Sequence, residues 1–152
     1  MKIVPTRRTD YALRSLIYLA EHSGDRINAA EIAAEMEVPL PILHQVLAEL
    51  QRAGLVTSLS GPRGGYQIAR DPQQLTLLEI LETMEGQVTQ GECALRGGPC
   101  HWDEVCALHP AWSEAREGFA AALAGHTLAE VVEMDMRLRE GTAEVPKDSH
   151  RR

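Results

Sequence analysis

The sequence predicts a mostly α-helical fold that carries one small β-hairpin and closes on a long C-terminal helix. Three observations predict it. Apolar residues recur at helical spacing along most of the 152 residues, beginning with Leu13, Leu16, Ile17 and Ala20 at i, i+3, i+4 and i+7. Only residues 55–69 read as strand, in two short runs split by the turn Ser60-Gly-Pro-Arg-Gly-Gly65. Several helix starts announce themselves, because Asn28, Thr76 and Thr127 each stand three residues before a glutamate, the spacing of a capping box.

Taken in order, the first stripe occupies residues 9–22 and stops at Gly24. Asn28 opens a second helix of about two turns, to Met36, with Ile32 and Ala33 inward. A third begins at Val38-Pro-Leu-Pro41, where Pro41 is tolerable because a first-turn amide lacks an intrahelical acceptor. Its stripe is Leu43, Val46, Leu47 and Leu50, Gly54 ends it, and His44, Gln45 and Glu49 face outward. Two short helices joined by a tight turn form a helix-turn-helix, and strands at 55–59 and 66–69 add the hairpin that makes it winged. Thr76 opens a fourth helix with Leu77, Ile80, Leu81 and Met84 inward, stopped by Gly86. After Pro110 comes a helix with Trp112, Ala115, Phe119, Ala122 and Leu123 on its apolar positions, and after Gly125 a closing helix with Leu128, Val131, Val132 and Met136. The expected organisation is a winged helix-turn-helix DNA-binding region at 1–86, a cysteine loop that binds a cluster at 87–109, dimerisation helices at 110–140 and a flexible tail at 141–152.

Composition narrows the class. The single N-terminal apolar stretch, 15–20, is too short and too closely flanked by charge for a signal peptide or membrane span, so a cytoplasmic protein is expected. The net charge of −7 is uneven. Through Arg70 there are 8 Lys and Arg against 7 Asp and Glu, and beyond it 7 against 15. A near-neutral first half is compatible with the local positive patch that DNA requires.

The three cysteines, Cys93, Cys100 and Cys106, fall within fourteen residues and are followed by His109. Thiolates are soft donors for iron-sulfur clusters and zinc, and an odd count argues against a disulfide framework. The glycines and proline among them are not core residues, so inert buried thiols fit the segment poorly. Three cysteines and a histidine also make a complete zinc set, although zinc ligands usually come in closer pairs. An enzyme is not expected, since no nucleophile-base pair or phosphate-cradling glycine loop is present.

Motifs along nearly the whole chain carry a resemblance: Thr9-Asp-Tyr-Ala-Leu-Arg14, Gly54-Leu-Val56, Gly61-Pro-Arg-Gly-Gly-Tyr66, the three cysteines, and Thr127-Leu-Ala-Glu-Val-Val132. In that order they resemble the Rrf-two family of bacterial iron-sulfur transcription regulators. The resemblance implies a homodimer on a double-stranded DNA operator, with the third helix in the major groove, the wing in the minor groove, and the long helix after the cysteines at the dimer seam. It also implies that Cys93, Cys100 and Cys106 hold an iron-sulfur cluster, of two or four irons. For the fourth ligand, one branch of the family matches His109 and the nitric-oxide-sensing branch matches Asp10, supplied across the dimer; Glu92 and His101 are further alternatives. The switch implied is a repressor sensing nitric oxide, redox or iron-sulfur status; the other reading is a regulator or structural adaptor with a zinc or thiol site in place of the cluster.

This chain departs from the family in having six residues rather than five between its first two cysteines, and Pro39 and Pro41 where relatives often have serines. Candidate DNA contacts are His44 and Gln45 on the third helix and Arg63 at the wing tip, suited to a narrow minor groove. Arg7 and Arg8 at the head of the first helix and Gly64 and Gly65 beside Arg63 complete that set.

Overall fold

The computed structural model describes residues 5–88 and 106–145. Among them the order is α1 (Arg7–Glu21), α2 (Ala29–Glu35), α3 (Leu40–Arg52), β1 (Val56–Leu59), β2 (Gly65–Ile68), α4 (Leu77–Glu85), α5 (His109–Ala124) and α6 (Leu128–Arg139). The predicted class, mostly helical with one small hairpin, is the observed one.

The caps form where the sequence signals them, to different degrees. Asn28 accepts from the Glu31 amide at 2.9 Å, and Thr76 from the Glu79 amide at 3.2 Å. Only Thr127 and Glu130 close the full reciprocal box, the Glu130 carboxylate accepting the Thr127 amide at 3.1 Å. Glu79 instead pairs with Arg70, and Glu31 accepts from the Asn28 side chain and Tyr18. Glu79 thus turns to a residue outside its helix, while Glu31 stays with the Asn28 side chain and adds Tyr18.

Helix α1 starts at Arg7, two residues before the predicted stripe, because Thr6 caps it by accepting from the Thr9 amide. Its fully buried face is Ala12, Ser15, Leu16 and Leu19, while Leu13, Ile17 and Ala20 are partly buried beside it. The buried face is wider than one stripe because α3, α4, α6 and β2 all pack against this helix. Ser15 is accommodated by donating to the Tyr11 carbonyl at 2.7 Å.

The strands are antiparallel, with Val56 opposite Ile68 and Leu59 opposite Gly65, so β2 starts one residue earlier than predicted. Ile27 adds a single bridge on the other side of the hairpin, exchanging backbone bonds with Tyr66 at 2.9 and 2.7 Å. The starts of α4 and α6 are likewise joined, the Leu77 amide donating to His126 and the Leu128 amide to Leu75. Leu128 is consequently buried in one core with Leu16, Leu43, Leu47 and Ile80. Helix α5 lies against α4 and buries only Ala120; Ala115 and Ala122 are exposed, and Trp112, Phe119 and Leu123 are half-buried.

Candidate nucleic-acid interface and cysteine site

The α2–α3 turn sets the direction of α3. Glu37 stands in it with φ of 53°, a left-handed conformation that costs a side-chain-bearing residue more than glycine. The turn holds because the Val38 amide donates to Ala33 at 3.0 Å and the Val38 side chain is buried. Leu43, Val46, Leu47 and Leu50 anchor the inner face of α3, which leaves His44, Gln45, Ala48 and Arg52 exposed on the other. Both predicted base readers therefore share one open face. A 3.0 Å bond from the Ser58 hydroxyl to the Gln51 side chain ties β1 of the wing to this helix.

Arg63 is exposed in the turn closed by the Gly64 amide donating to the Gly61 carbonyl at 2.9 Å. The two glycines after it have backbone reasons of their own. A Cβ on Gly64 would lie 2.1 Å from the Leu59 carbonyl oxygen, and one on Gly65, at φ of 148°, would lie 2.7 Å from that of Ile27. They allow the hairpin to close and Ile27 to pair with it.

Arg7 and Arg8 sit in the exposed first turn of α1. Arg8 forms an ion pair with Glu49 of α3. The other side of this turn meets Glu85, the last residue of α4, which accepts from the Thr6 amide at 2.7 Å and from the buried Thr9 hydroxyl. Partial burial pushes the Glu85 carboxyl up, but these bonds and the Arg8 charge outweigh it and hold the group below its ordinary value. The first turn of α1 thus bridges α3 and the end of α4, from which the cysteine segment departs. Sequence reasoning missed Glu85, for which only a Thr-x-x-Thr helix start could have hinted at a carboxylate partner.

Asp10, in the same turn, accepts from Arg14 at 3.0 Å, and Arg14 also reaches the Met36 carbonyl at 3.4 Å. Cys106 is a half-buried free thiol whose carbonyl accepts the His109 amide at 3.0 Å, joining the last cysteine to the first residue of α5. The His109 ring lies 3.2 Å from the Ser113 hydroxyl through Nε2 and does not cap the helix, whose N-cap is Leu108. Cys93, Cys100, Glu92 and His101 lie outside the described residues. Among the described residues no three His, Cys, Asp or Glu side chains converge as metal ligands, and no helix is long and apolar enough to cross a membrane.

Residues 5–134 match the Rrf2 family, described as an iron-dependent transcriptional regulator. The chain belongs to this family. It is similar to the HTH-type transcriptional regulator NsrR of Geobacillus kaustophilus, 32% identical over 136 residues that cover 88% of this chain and 92% of that protein. The HTH-type transcriptional regulator IscR of Salmonella agona is 27% identical over 151 residues, 96% of this chain and 92% of that one. Among solved structures, CymR, the global cysteine regulator of B. subtilis, superposes with a TM-score of 0.75 at 25% identity, covering 88% of this chain and 98% of that one. As a member of the Rrf2 family the chain is a DNA-binding winged-helix transcriptional regulator and not an enzyme.

Proposed function

We propose that this Rrf2 regulator is a homodimeric repressor whose operator binding is switched by an iron-sulfur cluster held by Cys93, Cys100 and Cys106. The observation that carries the reading is their position: all three fall between the end of α4 and the start of α5, and Cys106 is a free thiol bonded through its backbone into α5. The donor set fits, since thiolates hold such clusters and a carboxylate or imidazole completes the shell. Asp10 or His109 serves as that fourth ligand. When bound, the cluster supplies a group that nitric oxide, oxidants or iron scarcity can attack.

The chain's own residues do the rest. His44 and Gln45 read base edges, Arg63 enters the minor groove, and Arg7 and Arg8 meet phosphates. α5, with little buried within its own chain, pairs with a second copy so that two α3 helices meet two half-sites. The Glu85 contacts carry a displacement of the cysteine segment into α1, and the Arg8–Glu49 pair passes it to α3.

The test is protein purified without oxygen, with a native mass spectrum, absorption spectrum and operator titration of loaded and stripped forms at one salt concentration. A dimer carrying iron and sulfide that changes operator affinity on stripping is expected; equal affinities overturn the switch. Asp10→Ala and His109→Ala should divide the ligand question, one losing the cluster and the other keeping it. If both keep it, neither residue is the ligand. A second reading, a zinc or thiol site, is favoured by the likeness to a regulator named for cysteine, and a zinc-loaded or metal-free dimer would select it.

A further inference from the structure

Seven large apolar side chains are exposed among the described residues, and two of them, Leu40 at 38% and Ile42 at 36%, stand in the first turn of α3. Pro39 and Pro41 beside them are exposed as well. This is an unusual face to offer DNA. Helix starts commonly hold phosphate through free amides and hydroxyls. Here Pro39 and Pro41 have no amide hydrogen, the Ile42 amide already donates to the Pro39 carbonyl at 2.9 Å, and no side chain caps the helix. The turn is apolar instead, and it runs directly into the face that carries His44, Gln45 and Ala48.

In a winged-helix protein the start of this helix is the part that reaches furthest into the major groove. The base edges there present one apolar feature, the C5-methyl group of thymine. We propose that Leu40, Pro41 and Ile42 are specificity-determining residues that read thymine methyl groups at the operator positions facing the first turn of α3. The inference deepens the reading of α3 as the recognition helix and rests on it. Selectivity arises because the patch leaves a cytosine amine in this position without an acceptor, whereas the methyl group of thymine is withdrawn from water against Leu40 and Ile42.

The test uses operators selected from a random duplex pool, each thymine then replaced singly by uracil, which removes only the methyl group. Missing-nucleoside interference, which reports on every base pair, first maps which base pairs lie under α3. Within that footprint, uracil at one or two positions per half-site should weaken binding about fourfold, the value of one buried methyl group. Ile42→Ser or Leu40→Ser should bring the thymine-to-uracil affinity ratio to one at those positions. A variant that merely loosened the fold would weaken both duplexes alike and leave the ratio at its wild-type value, which melting curves check separately. Uracil without effect throughout the footprint overturns the proposal, as does a ratio that survives in both variants. A selected operator showing no interference under α3 overturns the recognition-helix reading itself, and the proposal with it.

Discussion

At position 64 a single added carbon would stand 2.1 Å from the carbonyl oxygen of Leu59, nearer than any real Cβ contact. The neighbouring Arg63 is exposed. These adjacent residues should therefore separate by experiment. Gly64→Ala should destabilise the protein by about 1–3 kcal/mol, the usual cost of forcing extra volume into a closed site, and lower its melting temperature. Arg63→Ala should leave melting unchanged yet weaken operator binding and reduce the slope of log affinity against log salt by about one. An Arg63→Ala protein with wild-type affinity at every salt concentration would remove Arg63 from the interface. The glycines were legible in the sequence as a turn, but the atoms they avoid belong to Leu59 and to Ile27, and only the folded chain brings Ile27 there.

The start of α1 combines a local signal with a tertiary partner, and the second extends the first. Thr6 caps the helix weakly, at 3.4 Å, and the Glu85 carboxylate from α4 adds an acceptor and a negative charge at the positive end of the helix. Because the folded Glu85 carboxyl lies below its ordinary value, it binds its proton less readily than the unfolded chain does. Its contribution to stability is present above the unfolded pKa and is lost as pH falls through the lower folded one. Wild-type protein should melt above Glu85→Gln at neutral pH, and the gap should close below the ordinary carboxylate range. A gap that persists unchanged below that range would show that the charge of Glu85 plays no part. The helices themselves were legible from their periodicity, while this carboxylate was not, since 76 residues separate it from Thr9.

For the whole molecule the division of labour among helices follows from what each buries. α6 inserts Leu128 into the core shared by α1, α3 and α4, whereas α5 leaves Ala115 and Ala122 exposed and Trp112, Phe119 and Leu123 half-buried. On the proposed dimer, a charge at the middle of α5 belongs in the seam and not in the core of its own chain. Phe119→Glu should accordingly yield a monomer by sedimentation that retains the wild-type far-ultraviolet spectrum and loses operator affinity. A Phe119→Glu protein that remains dimeric would move the seam off α5.

By itself the sequence determined the helical class, the winged order of α2, α3 and the hairpin, the caps at Asn28, Thr76 and Thr127, and the family, because periodicity, turn chemistry and motif order are local properties. It also singled out His44, Gln45 and Arg63, which the fold leaves open to a partner. Tertiary structure alone decided that Arg8 faces Glu49, that Glu85 completes the start of α1, that Ile27 pairs with the wing, and that the first turn of α3 presents Leu40 and Ile42 to solvent. The physical reason is common to all four. Which side chains meet, and which meet nothing, depends on residues distant in the chain arriving together, and no local pattern of polarity encodes that arrival.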